Sequence, residues 1–226
     1  MSIKSRHTGR NNLVYLLPDF PFDYCYLMWV LRSYRSPRDK ISRMLRNGEI
    51  IRIKKGLYIR SPGYGGKADK KVIANLIYGP SYISLDFALQ YRGLIPERVE
   101  LVTSITSKRN KIFHTPLGSF SYKYLHHSKF HPGVLLEKTE LSGQRGNREN
   151  KTGFFIASEE KALCDKLATV RDIDKPEDIP EYLESDLRID TDLLRLDIRQ
   201  LYKIEKVYKK KSVTAFVRWY KAHMGA

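Results

Sequence analysis

Basic side chains recur between residues 36 and 60 at the spacings of a helix face and of a hairpin turn. Cations that share a surface neutralise neighbouring phosphates, so this pattern favours binding to a polyanion over catalysis. Any single Lys or Arg would be explained equally well by a solvated helix face or a polar turn. The candidate DNA-binding residues are Arg38, Lys40, Ser42, Arg43, Arg46, Arg52, Lys54 and Lys55.

A second pattern suits metal-dependent hydrolysis. Glu159-x-Lys161 follows a predicted strand, and Asp86 or Glu100 lies upstream, as in nucleases whose carboxylates hold Mg²⁺ while a lysine activates water. Carboxylates in the first turn of a helix are also favoured for structural reasons alone. The sequence has no Ser-His-Asp order, no Gly-rich phosphate loop and no Cys-His signature, so we expect a protein that is not an enzyme.

Histidine and cysteine do not form a pattern typical of a metal site. The four clustered histidines lack acidic or cysteine partners at ligand spacing, and the two cysteines are far apart and predicted to pack as free thiols. We therefore expect no metal and no cofactor. The residues concerned are His114, His126, His127, His131, Cys25 and Cys164.

The basic side chains of the first pattern require a helix to position them. Ser36 is a predicted N-cap, Pro37 suits the first helical position and Asp39 suits the positive end of the helix dipole. Gly48 ends the helix. The apolar stripe consists of Ile41, Met44 and Leu45.

A two-stranded hairpin should follow directly. Its strands are predicted at residues 49–53 and 57–60, joined by Lys54-Lys55-Gly56. A preceding helix, capped by Asp23 and reaching Ser33, is apolar almost all round and should be buried, including Trp29. Two helices and a basic hairpin predict a winged helix-turn-helix, with the second helix in the major groove and the hairpin on phosphate.

Domain organisation follows from one stretch rich in Gly, Pro and Ser, residues 61–66. We expect a winged-helix DNA-binding domain at residues 1–62 and an α+β domain at residues 67–226 that ends in helices. In that second domain the predicted strands are 82–83, 99–103, 111–114, 119–125 and 153–156, and the predicted helices are 68–77, 85–92, 159–170, 176–187, 192–208 and 212–223. Residues 1–12 should be a frayed tail and residues 139–152 a mobile loop.

Charge is concentrated at the front of the 226-residue chain, whose formal net charge is +16. Residues 1–60 hold 13 Lys and Arg against 4 Asp and Glu, whereas residues 158–226 hold 14 of each. The basic part is where a nucleic acid would be bound. The longest apolar run near the start, residues 13–17, is too short for a signal peptide or membrane span, so we expect a cytoplasmic protein without membrane contact.

Three blocks, in order, carry a resemblance to a known family. GEIIRIKKGLYI at residues 48–59, YISLDFALQYRGLIP at 82–96 and FIASEEKALCDKL at 155–167 resemble the AbiEi family of abortive-infection antitoxins. One departure is Glu159, where relatives usually carry Pro. The ordered set covers most of the chain from Ser36 to Leu167.

The resemblance implies an antitoxin of a type IV toxin-antitoxin system, a form of phage defence. Its winged-helix domain would bind inverted repeats in its own promoter as a transcriptional autorepressor. Its second domain would counteract a nucleotidyltransferase-like toxin, without necessarily forming a stable complex. The alternatives are a plain winged-helix transcriptional regulator without a toxin partner and, more remotely, a metal-dependent nuclease.

Overall fold

A computed structural model of the chain describes residues 13–140 and 151–224. The described chain has the expected α+β composition and divides into two compact units. The first unit comprises residues 13–73 and the second residues 74–224, apart from 115–117, 140 and 151–152, which group with the first. The predicted frayed tail, residues 1–12, lies outside the described residues, as do residues 141–150 of the predicted mobile loop. The loop prediction was wrong at its two ends, because one strand extends to Glu140 and another begins at Lys151.

The first unit contains two helices and a three-stranded sheet in the order β1-β3-β2. The central strand β3 pairs antiparallel with both neighbours. A single turn of 3-10 helix, Val14–Leu16, precedes them. The elements are β1 (Phe22–Asp23), α1 (Tyr24–Val30), α2 (Pro37–Arg46), β2 (Ile50–Lys54) and β3 (Leu57–Arg60).

Helix α1 differs from its prediction in length and in burial. Asp23 caps it as expected, because its carboxylate accepts the Tyr26 N–H at 2.7 Å, but the helix ends at Val30 rather than Ser33. The predicted all-round burial was wrong: Trp29 is 59% exposed and Tyr26 is 37% exposed. Only the face that carries Leu27 reaches the core, since a helix of two turns can bury one stripe against a small sheet.

Helix α2 packs on the same core through Ile41 and Met44, as predicted. Gly48 has a φ of +66° just past the helix end, which is the left-handed conformation expected of a C-terminal glycine. Ser36 precedes the helix but its side chain makes no capping hydrogen bond. The buried core consists of Val14, Leu17, Phe22, Leu27, Leu31, Ile41, Met44, Ile50 and Tyr58.

The Gly-rich stretch at residues 61–66 forms an ordered turn. Ser61 is buried, and its hydroxyl donates to the Gly48 carbonyl at 2.5 Å. The Gly66 N–H returns to the Ser61 carbonyl at 3.0 Å. This stretch is therefore closed on itself and is held by Ser61 to the turn between α2 and β2.

The second unit is built on a six-stranded mixed sheet in the order β6-β7-β5-β4-β9-β8. Strand β4 is antiparallel to β5 and parallel to β9, while β5 is parallel to β7. The strands are β4 (Ser81–Ile83), β5 (Val102–Thr106), β6 (Lys111–Thr115), β7 (Gly118–Tyr124), β8 (Val134–Glu140) and β9 (Lys151–Ala157). The longer helices are α3 (Lys70–Ile77, which begins in the first unit), α4 (Leu85–Tyr91), α5 (Glu159–Leu167), α7 (Ile198–Tyr208) and α8 (Lys211–Met224).

A short helical run between α5 and α7 matches the helix expected from about residue 176 to 187. It consists of a 3-10 turn, Pro176–Asp178, then α6 (Ile179–Glu181) and a turn of π-helix, Tyr182–Asp186. Helix α7 begins six residues later than predicted. Its true N-cap is Asp197, whose carboxylate accepts the N–H groups of Arg199 and Gln200, so Asp192 lies outside the helix.

Two strands of the sheet differ from the prediction: one is shifted along the sequence and one was not predicted. Strand β5 lies three residues later than expected, because every one of its residues is buried and the sequence lacks the alternation that marks a half-exposed strand. Strand β8 was missed altogether: Leu135 and Leu136 are both exposed on this edge strand, so its pattern resembles no strand with a single buried face.

Both cysteines are free, as predicted, but only one is packed. Cys164 is completely buried in α5, and burial raises the pKa of its thiol well above the ordinary range. Cys25 is exposed, which corrects the expectation that it packs in apolar surroundings. Within the described parts of the chain, no helix has the length and apolar character needed to cross a membrane.

Candidate nucleic-acid interface

Helix α2 presents a polar face opposite its buried stripe. Because Ile41 and Met44 point into the core, helical periodicity directs Ser42, Arg43 and Arg46 outward, and all three are exposed. Arg38 is also exposed, and Lys40 is half-buried. The Ser42 hydroxyl donates to the Arg38 carbonyl at 3.1 Å, which leaves its lone pairs as acceptors on the surface.

The hairpin that follows places three further cations. Arg52 is exposed opposite Tyr58, and a bulge between Arg52 and Lys54 shifts the register so that Lys54 pairs with Leu57. The turn is therefore two residues, Lys55–Gly56, rather than the predicted three. Gly56 has a positive φ, +87°, a conformation that suits glycine in a hairpin turn.

The tip of this hairpin does not stand free. The Gly56 carbonyl accepts the Tyr24 N–H at 3.0 Å, and Leu57 pairs with Asp23 on β1. The start of α1 thus holds the turn, which fixes the backbone on which Lys55 is exposed. Sequence patterns did not indicate this contact, because β1 is only two residues long and has no periodicity to detect.

The exposed arginines of this surface have no acidic partner within the described residues. Among the carboxylates whose side chains the structure describes, none lies within 4.0 Å of a side-chain nitrogen of Arg43, Arg46 or Arg52. Their charge is consequently not neutralised within the described unit. An unneutralised set of guanidinium groups on one small unit attracts a polyanion at long range.

Two exposed aromatic residues on α1, Tyr26 and Trp29, were not identified as surface groups from the sequence. The Arg32 guanidinium lies 4.5 Å from the centre of the Trp29 ring, and the Tyr26 and Trp29 rings are 6.0 Å apart. The signal was present as an i, i+3 spacing of Trp29 and Arg32. It was overlooked because Trp29 was assigned to the core.

In the second unit, the lysine of Glu159-x-Lys161 is buried in a hydrogen-bonded network. Lys161 is 0% exposed, and its ammonium donates to the Lys129 carbonyl at 2.7 Å and to the Tyr208 hydroxyl at 2.6 Å. Asp165 lies 3.6 Å from the same ammonium. Burial lowers the pKa of Lys161, and the Asp165 carboxylate opposes that change.

The same aspartate joins distant parts of the sequence. The Tyr82 hydroxyl donates to Asp165 at 2.9 Å, and the Ser84 hydroxyl donates at 2.6 Å. Ser84 precedes α4, but its side chain makes no capping bond; the Phe87 N–H donates to the Thr103 hydroxyl at 3.2 Å instead. Burial, and then the neighbouring Asp165 charge, raises the pKa of both Tyr82 and Tyr208.

The acidic residues of the nuclease pattern have separate partners. Asp86 is paired with Lys166, and Glu100 forms an ion pair with Arg98 at 2.7 Å. Burial, together with the adjacent Glu160 charge, raises the pKa of Glu159, while Arg92 opposes this effect. Among the described residues, no group of three or more His, Cys, Asp or Glu side chains is placed to hold a metal ion.

No protein-family model and no curated protein matches this chain.

Proposed function

We propose that this protein is a cytoplasmic antitoxin of the AbiEi type whose first unit is a winged helix that binds the chain's own promoter. The observation that carries the proposal is the arrangement of the first unit: an exposed cationic face on α2, followed directly by a hairpin with a basic turn. Winged helices use these two elements on the groove and on the adjacent backbone.

In this proposal α2 enters the major groove. Ser42, Arg43 and Arg46 lie near base edges, where a guanidinium can bind guanine with two hydrogen bonds. Arg52, Lys54 and Lys55 hold phosphate, and Arg38 and Lys40 add positive charge near the start of the helix. Inverted repeats in the promoter would be bound by two copies of the chain, which represses transcription of its own operon.

We assign the second unit the task of counteracting a nucleotidyltransferase-like toxin. The resemblance supports this assignment, and its second and third blocks meet in space: Tyr82 and Ser84 from one block bind Asp165 from the other. Those blocks therefore owe their residue types to packing. The residues that oppose a toxin would lie on the exposed surface of the unit instead.

The DNA-binding half is tested with the full chain and a labelled fragment of its own promoter. Arg43→Ala with Arg46→Ala should abolish a footprint on the inverted repeats. The matched control is Lys203→Ala with Lys206→Ala, which removes the same charge from exposed positions of α7. Equal binding by wild type and the α2 variant would contradict the assignment of α2 to the interface.

A further inference from the structure

A shallow cleft lies at the turn between β5 and β6 in the second unit. It has a volume of about 600 Å³ and is lined by Ser107, Lys108, Arg109, Asn110 and Tyr124. Pockets for small molecules and single nucleotides typically measure about 300–1,000 Å³. The cleft is thus large enough for one small molecule or one nucleotide.

The part of the chain around this cleft has an unusual charge distribution. Residues 101–136 contain five Lys and Arg and four His but no Asp or Glu. Within the described residues, no carboxylate forms an ion pair with Lys108, Arg109 or Lys111. The charge of the cleft is not compensated by its own unit, so an anion would be attracted there.

Specific contacts hold two side chains of the cleft, Lys108 and Asn110, in place. The Lys108 ammonium donates to the Gly79 carbonyl at 2.5 Å and lies 5.2 Å from the centre of the Tyr78 ring. The Asn110 side-chain oxygen accepts the Tyr124 N–H at 2.7 Å. The turn is therefore tied to the end of β7, and little ordering is needed when a ligand binds.

The aromatic group of the cleft is available to a ligand. Tyr124 is 54% exposed at the end of β7, next to the cationic turn. An exposed aromatic face beside cations that lack a carboxylate partner is the combination by which proteins bind single-stranded nucleic acid, with a base stacked on the ring and phosphate on the cations. An acidic peptide would use the cations but would have no need of the ring.

We propose that this cleft binds a single-stranded nucleic acid segment, with Arg109 and Lys108 on a phosphate and the Tyr124 ring against a base. The site goes beyond the proposed promoter binding, because it lies in the other unit and takes unpaired rather than duplex nucleic acid.

The test measures binding of fluorescein-labelled octauridylate to the full chain by fluorescence anisotropy. Tyr124→Leu keeps apolar bulk but removes the ring face, and it should weaken binding about tenfold. Tyr124→Phe retains the ring and should bind like wild type. Arg109→Gln should weaken binding and reduce the slope of log affinity against log salt by about 0.7.

The matched control is Lys138→Gln, which removes an exposed cation from β8 at the opposite edge of the sheet and should leave binding unchanged. Binding of the promoter duplex should be unaffected by all four variants, which separates this site from α2. Wild-type affinity in the Arg109 and Tyr124→Leu variants would overturn the proposal. An equal loss for duplex and single strand, or a loss in Arg109→Gln alone, would overturn it as well.

Discussion

At the scale of single residues, the cations of the first unit form two groups, one on helix α2 and one on the hairpin that follows it. Arg43 and Arg46 project from a helix whose opposite face is anchored by Met44, whereas Lys55 lies on a turn anchored by the Tyr24 N–H. A side chain on a rigid helix can select a base, while one on a turn contacts the backbone of any sequence. The two groups should therefore respond differently to substitution.

Arg43→Ala should relax sequence preference. Loss of one base contact costs roughly 1–3 kcal/mol of discrimination at a single operator position, while binding to random DNA changes little. Competition assays with operator variants that differ at one base pair would measure this effect. Equal losses on specific and random DNA would place Arg43 on the phosphate backbone instead.

Lys54→Ala combined with Lys55→Ala should weaken binding to all DNA sequences. Each phosphate contact that is lost should reduce the slope of log affinity against log salt by about 0.9. A salt titration of promoter binding gives this slope directly. An unchanged slope would remove the hairpin turn from the interface.

The buried tyrosines predict a loss of stability at alkaline pH. Burial raises the pKa of Tyr82, Tyr122 and Tyr208 above the ordinary 10.0, and it raises the pKa of Tyr182 to about 12. As pH rises through 10, the unfolded chain loses these protons while the folded chain keeps them, so the free energy of unfolding falls. Lys161 acts in the opposite sense, because burial lowers its pKa in the folded chain. The folded chain therefore loses this proton before the unfolded chain does, and stability rises with pH until the ordinary lysine pKa of 10.5 is reached.

The net effect is therefore clearest above that value. The urea midpoint should be lower at about pH 11 than at about pH 8. A midpoint that is equal or higher at the alkaline pH would show that these hydroxyl groups are not buried as described.

At the scale of elements, the turn after β3, residues 61–66, contains a close contact between two backbone segments. A methyl group on Gly66 would lie 1.6 Å from the Arg60 carbonyl oxygen, whereas one on Gly63 would meet nothing within 4 Å. Close approach of backbone to backbone requires glycine at the first position and not at the second. Amino-acid composition alone does not distinguish the glycine that the backbone contact requires from the one that could be replaced.

Gly66→Ala should destabilise the first unit by about 1–3 kcal/mol, because the backbone has to move to relieve the overlap. Gly63→Ala is the matched control and should change stability by no more than about 0.5 kcal/mol. Chemical denaturation of both variants measures the difference. Equal stabilities would mean that the turn does not hold Gly66 against Arg60.

At the scale of the whole molecule, local signals were sufficient where one segment determines its own structure. Pro37, the spacing of Ile41 and Met44, and Gly48 together defined α2 to within a residue. The exposure of Trp29 depends on whether another element covers α1, and no local pattern carries that information. The contacts of Asp165 with Tyr82 and Tyr208 are more than 40 residues apart in sequence and could not be anticipated.

The candidate site shows the same division. Its cations were identified from their spacing, since charge on a helix face follows from periodicity. The anchoring of the hairpin turn to Tyr24 was not identified, nor was the cleft beside Tyr124, because each depends on segments brought together by folding.

Toxin rescue tests the central claim most directly. A nucleotidyltransferase-like toxin encoded beside this gene is expressed with the full chain, with an empty vector, or with the chain carrying Arg43→Ala and Arg46→Ala. Growth should be restored by both forms of the chain, because neutralisation is assigned to the second unit. Failure of the wild-type chain to restore growth, while it accumulates and still binds its promoter, would contradict the antitoxin account and leave a plain winged-helix regulator.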